Sequence, residues 1–155
     1  MMATENIPPA EHLRLIANAS SDPLFTKETY GHLISSTKEL KRTLWNIFYY
    51  ASQLPHIAND DTPPERQIIQ VRPLQKILEN NRAFHAADYA IIIGGILKSL
   101  DIRYNFKIVA FKGEDFQHVY VIVPSADHEK GYYVLDPMMK EFDTEVENIS
   151  KAYIQ

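Results

Sequence analysis

The chain has no cysteine. That absence excludes disulfides, zinc sites built on thiolate and a cysteine nucleophile in the chain as written. A field of one charge sign is also missing. Sixteen Lys+Arg stand against twenty Asp+Glu, a formal charge of -4, so no basic face exists to neutralise phosphates and no nucleic acid partner is expected. Long apolar runs are absent too. The longest, Ala90-Ile91-Ile92-Ile93-Gly94-Gly95-Ile96-Leu97, is far short of the ~20 residues that span a bilayer, so no membrane segment is expected. The N-terminus, Met1-Met2-Ala3-Thr4-Glu5-Asn6-Ile7-Pro8-Pro9, has neither a basic n-region nor an apolar h-region. No secretory signal is read there, and a cytoplasmic location is expected.

What the chain does have is enough apolar material for a core: 155 residues, 45% of them hydrophobic. With no fixed-period repeat, low-complexity tract or internal linker, residues 1–155 are read as one domain. A short helix is expected from Glu11 to Ala19, followed by a turn at Ser20-Ser21-Asp22-Pro23. Ser36 with Glu39 three residues on is a capping-box pattern, and Leu40, Leu44, Ile47, Phe48, Ala51 and Leu54 then repeat in 3- and 4-residue steps. That spacing predicts a core helix from about Thr37 to Leu54, ended by Pro55. Asn59 to Arg66 reads as an exposed loop and Leu74 to Asn80 as a short helix after Pro73. A second long helix is expected from Ala86 to Leu100, burying Tyr89, Ile92, Ile93, Ile96, Leu97 and Leu100. Gly94 and Gly95 at its centre cost roughly 1 kcal/mol each relative to Ala, which suggests that another backbone packs closely there.

After Asp101 the hydrophobic period changes from 3.6 to 2. Tyr104 to Phe111, His118 to Val123 and Tyr132 to Leu135 read as three strands of an antiparallel meander, so helices followed by strands give an α+β class. The connection Pro124 to Gly131 folds about Asp127 and His128. That midpoint puts His118 opposite position 136, give or take one residue, and position 136 is Asp. Directly opposed Cβ atoms lie about 4.5–5.5 Å apart. The carboxylate can then accept from one imidazole nitrogen, fix the tautomer and leave the other nitrogen free. This is the base and orienter of a nucleophilic site, still lacking its nucleophile.

Three motifs in order now resemble one family. Asp88-Tyr89-Ala90 leading to Leu97, Leu100 and Ile102, then His118-Val119-Tyr120-Val121, then Val134-Leu135-Asp136-Pro137 are similar to the transglutaminase-like branch of the papain-like cysteine enzymes. The lead-in Gln70 to Leu78 is similar as well. The resemblance covers about residues 37–142, with 1–35 as an N-terminal extension, and implies a papain-like or transglutaminase-like core of N-terminal helices on an antiparallel sheet. It implies a thiol hydrolase (peptidase) or acyl transferase acting on the amide bonds of a protein or peptide, without cofactor. His118 would be the general base and Asp136 its orienter. The family's cysteine falls on Ala86, and its preceding Gly-Asp is replaced by Phe84-His85. A methyl group cannot attack a carbonyl, so the chain as written is expected not to turn over. Either Ala86 stands in for a cysteine of an active protein, or the chain is a pseudoenzyme serving as a peptide-binding or structural module, in a phage or virion particle for example.

Further residues take smaller roles. His85, Gln117 and Tyr120 are candidates for contacting substrate. Gln70, Gln75 and Gln117 are unranked candidates for a side-chain oxyanion donor. Tyr49, Tyr50, Tyr132 and Tyr133 could line a peptide groove but read more simply as half-buried aromatics. No metal is expected, because His12, His32, His56 and His128 lack zinc-ligand spacing. Asp60-Asp61 read as solvated charge.

Overall fold

The structure is a computed structural model that describes residues 8–34, 39–54, 86–114 and 116–155. The loop read at 59–66, the helix read at 74–80, Pro55, His56, Gln70, Gln75 and the Phe84-His85 pair lie outside the described residues. Helix α1 spans Pro9–Ser20, α2 Lys27–Tyr30, α3 Leu40–Ser52 and α4 Ala86–Ser99, with one 3-10 turn at Gly31–Leu33. The strands are β1 Asn105–Phe111, β2 Phe116–Pro124, β3 Tyr132–Leu135 and β4 Ile149–Ile154. They form one antiparallel sheet in the order β3-β2-β1-β4. The four helices packed against this four-stranded sheet make an α+β fold.

Helix α4 is central because its sequence is apolar on every side. All residues from Ala86 to Leu97 are buried, as a helix surrounded by protein requires. It packs against α1 and α3 on one side and β2 on the other. Helix α1 is part of this core: Leu13 and Ile16 are fully buried, and Ser20 Oγ donates to the Ile91 carbonyl at 2.9 Å. The turn after α1 is closed by Asp22, whose carboxylate accepts from Leu24 N–H at 2.9 Å.

Three expectations need correction. Helix α3 starts at Leu40, not Thr37, and Glu39 occupies the N-cap position without a side-chain cap bond. Glu39 therefore cannot be the third helical residue that a capping box requires. Gly94 and Gly95 admit aromatic rings, not another backbone. A Cβ on Gly94 would lie 2.6 Å from Phe106 Cζ, and one on Gly95 would run into the Phe25 ring. The meander, finally, has a fourth strand. β4 pairs with β1 on the edge away from β2, although five of its six residues are exposed.

The sheet has two differently covered faces. Phe106, Ile108, Val119, Val121, Val123, Tyr133 and Leu135 join the main helical core. Val109, Phe111, Tyr120, Ile122 and Val134 form a second cluster, against which Val146 and Ile149 pack. Residues 143–149 thus run as a strap over the sheet face opposite the helices.

Candidate functional site

Two strand ends bring the predicted base and orienter together. His118 is the third residue of β2, and Asp136 directly follows β3. The imidazole Nε2 donates to Asp136 Oδ2 at 2.7 Å, with both side chains essentially buried at 0% and 2% exposure. The second carboxylate oxygen, Oδ1, accepts from Met138 N–H at 3.1 Å, so Asp136 is itself held in place.

The contact forms in a different register from the one expected. β2 and β3 pair Val121 with Leu135 and Pro124 with Tyr132. Extending that ladder sets Tyr120, not His118, opposite Asp136. The hairpin loop is Ser125–Gly131, centred on His128, so the fold-back falls later than the midpoint read from the sequence. The pair still meets because diagonal neighbours on one sheet face remain within reach of a long side chain.

With Nε2 carrying its proton towards the carboxylate, Nδ1 is the free nitrogen of His118. It is buried and has no hydrogen-bond partner among the described residues. Its neighbour Gln117 also carries a buried unpartnered atom, Oε1. Gln117 is the extra residue of a β-bulge, since Val109 pairs with His118 and Ala110 with Phe116. Bulges of this kind re-aim side chains and recur beside active sites.

Ala86 is the first residue of α4 and is 6% exposed. No hydrogen bond or ring contact links it to His118, as its methyl group allows neither. Its level along the sheet follows from geometry. The short connection 100–104 makes α4 and β1 run in opposite directions, and Gly94 sits against Phe106. From Gly94 back to Ala86 is about 12 Å of helix. From Phe106 forward to Val109, the partner of His118, is about 10 Å of strand. Ala86 therefore reaches the level of His118 along the sheet, but on the helix-covered face, whereas His118 pairs with Val109 and shares the face of Val109 and Tyr120 on the other side. Asp88, fully buried in the same first turn, places an acidic side chain at the positive end of the helix, a favourable position.

Tyr120 has a commitment the sequence did not reveal. Its hydroxyl donates to Glu145 Oε2 at 2.5 Å, so it is engaged within the protein. Glu145 also accepts from Lys107 Nζ at 2.6 Å and from Tyr132 OH at 2.6 Å. Burial alone would push the Glu145 carboxyl up, but these three donors outweigh it and hold it below its usual value. The same burial and the carboxylate drive the Tyr120 hydroxyl far above the ordinary tyrosine range. Lys107 was the available signal for this network. A single cation inside the apolar strand Asn105–Phe111 must find a partner when buried.

Other residues weighed from the sequence sit away from this pair. His128 Nε2 donates to Asp143 Oδ2 at 2.7 Å, and its Nδ1 accepts from Lys130 N–H at 3.0 Å. Tyr49 is exposed on α3, stacked on Trp45, and Tyr133 is buried. Among the described residues no group of three or more His, Cys, Asp or Glu could hold a metal ion, and no helix is long and apolar enough to cross a membrane. Comparison of the chain with protein-family models, with curated proteins and with solved structures finds no match.

Proposed function

We propose that this fold carries a papain-like, transglutaminase-like acyl-transfer site in which Ala86 occupies the place of the nucleophile. The observation that carries the reading is the buried His118–Asp136 pair with Nδ1 left unpartnered. A structural histidine would ordinarily satisfy both ring nitrogens, since an orphaned buried acceptor costs about 1–3 kcal/mol. A thiol at position 86 would stand at a helix N-terminus, where the dipole and free N–H groups favour thiolate and oxyanion alike. The thiolate would attack an amide carbonyl, protonated His118 would give its proton to the leaving amine, and water or a second amine would resolve the thioester. With a methyl group there, the first bond cannot form, and the chain as it stands does not turn over.

The second reading is a non-catalytic peptide-binding or structural module. Total burial of His118 and Asp136 favours it, because a substrate must reach Nδ1 through covering residues. The deciding experiment is acyl-adduct formation by the Ala86→Cys variant on a peptide thioester or activated ester, followed by mass spectrometry. A covalent adduct on that residue, absent when His118→Ala is added, supports the acyl-transfer site. No adduct in a folded Ala86→Cys protein supports the module.

A further inference from the structure

The Lys107–Glu145–Tyr120–Tyr132 network has no part in the chemistry just described, yet it reaches the histidine. Along β2, His118 and Tyr120 share a sheet face, and their rings lie 5.5 Å apart, tilted by 37°. Tyr120 is fixed at its far end by Glu145, and Glu145 belongs to the strap 143–149. The same carboxylate is anchored from below by Lys107, the cross-strand partner of Tyr120. Tyr120 also stands opposite Asp136 in the extended β2–β3 register.

We infer that Glu145 is a positioning residue for His118, acting through Tyr120: it sets the tyrosine ring that keeps the imidazole in line with Asp136. The inference rests on the acyl-transfer reading for its functional meaning, but not for its geometry. A tilted ring contact has no hydrogen bond to define it, so its position depends on what holds the hydroxyl. The strap is therefore more than a cover for the second apolar cluster. It couples the order of residues 143–149 to the orientation of the base, which makes the loop between β3 and β4 a place where binding or modification would tune the site.

The test reads His118 directly, by two-bond proton–nitrogen NMR of its side chain in the unmodified chain, with circular dichroism to establish folding. The Nε2–H tautomer should dominate in the parent protein. Tyr120→Phe removes the hydroxyl and keeps the ring. The double variant Lys107→Met, Glu145→Leu removes the anchor without stranding a charge. Both should let the other tautomer, or a broadened exchanging signal, rise to roughly 10% of the population or more. Tyr132→Phe loses a bond to the same carboxylate but leaves Tyr120 tied, and should leave the His118 signal unchanged. In the Ala86→Cys background, Tyr120→Phe should also slow His118-dependent alkylation about tenfold. If Tyr120→Phe and the double variant fold and show the parent tautomer signal, Glu145 is structural only and the inference is overturned. If the tautomer shifts but alkylation never depends on His118, the positioning stands and the acyl-transfer reading fails.

Discussion

His118 and Asp136 meet diagonally, not face to face: Nε2 to Oδ2 is 2.7 Å, while the ladder sets Asp136 opposite Tyr120. A pair this deep contributes through what its loss would strand. Asp136→Ala removes the carboxylate from a fully buried imidazole and also the acceptor for Met138 N–H. Stranding a buried hydrogen-bond donor costs about 1–3 kcal/mol. Urea denaturation should show that loss, with Asp136→Asn closer to the parent because its amide oxygen can still accept.

Gly94→Ala and Gly95→Ala should both destabilise, against helix propensity. Propensity alone would give a gain of about 1 kcal/mol. The Phe106 and Phe25 rings occupy the space a methyl group needs, and overpacking costs about 1–3 kcal/mol. Thermal melts should show lowered midpoints, more so for Gly95, whose added methyl meets the whole edge of the Phe25 ring. An unchanged or raised midpoint in both would mean the rings move aside freely.

The Glu145 network should give stability a pH signature with two limbs. The Glu145 carboxyl is held below its usual value, so its contribution is present above the unfolded carboxyl pKa and lost as pH falls through the lower folded one. The Tyr120 hydroxyl is raised, and Lys107 is raised by Glu145 and Tyr132 against the lowering effect of burial. Their contributions are complete below their unfolded values, about 10, and are lost as pH rises beyond. Urea midpoints between pH 3 and 11 should fall at both ends, and Tyr120→Phe should flatten the alkaline limb. An alkaline limb unaltered by Tyr120→Phe would contradict the assignment.

The legible parts of the fold were those whose burial is periodic or complete. α3 and α4 announce themselves through apolar spacing, and β1 to β3 through a period of two. β4 was not legible because Ser150 to Ile154 are exposed and show no apolar alternation. It is a strand because β1 offers it backbone groups, which side chains do not report. The His118–Asp136 pairing was legible from hairpin length even though the register was two residues out, since a diagonal reach absorbs that error. Glu145 was not, because its partners Lys107, Tyr120 and Tyr132 lie on three strands and only the folded strap brings the carboxylate over them.

The most direct test of the site is the pH–rate profile of iodoacetamide alkylation of the Ala86→Cys variant, with and without His118→Ala. The expected result is a thiolate that reacts well below the ordinary thiol pKa of about 8.5 and loses that advantage when His118 is removed. A single inflection near the ordinary value, unmoved by His118→Ala, would contradict the proposed pairing of position 86 with His118 and Asp136.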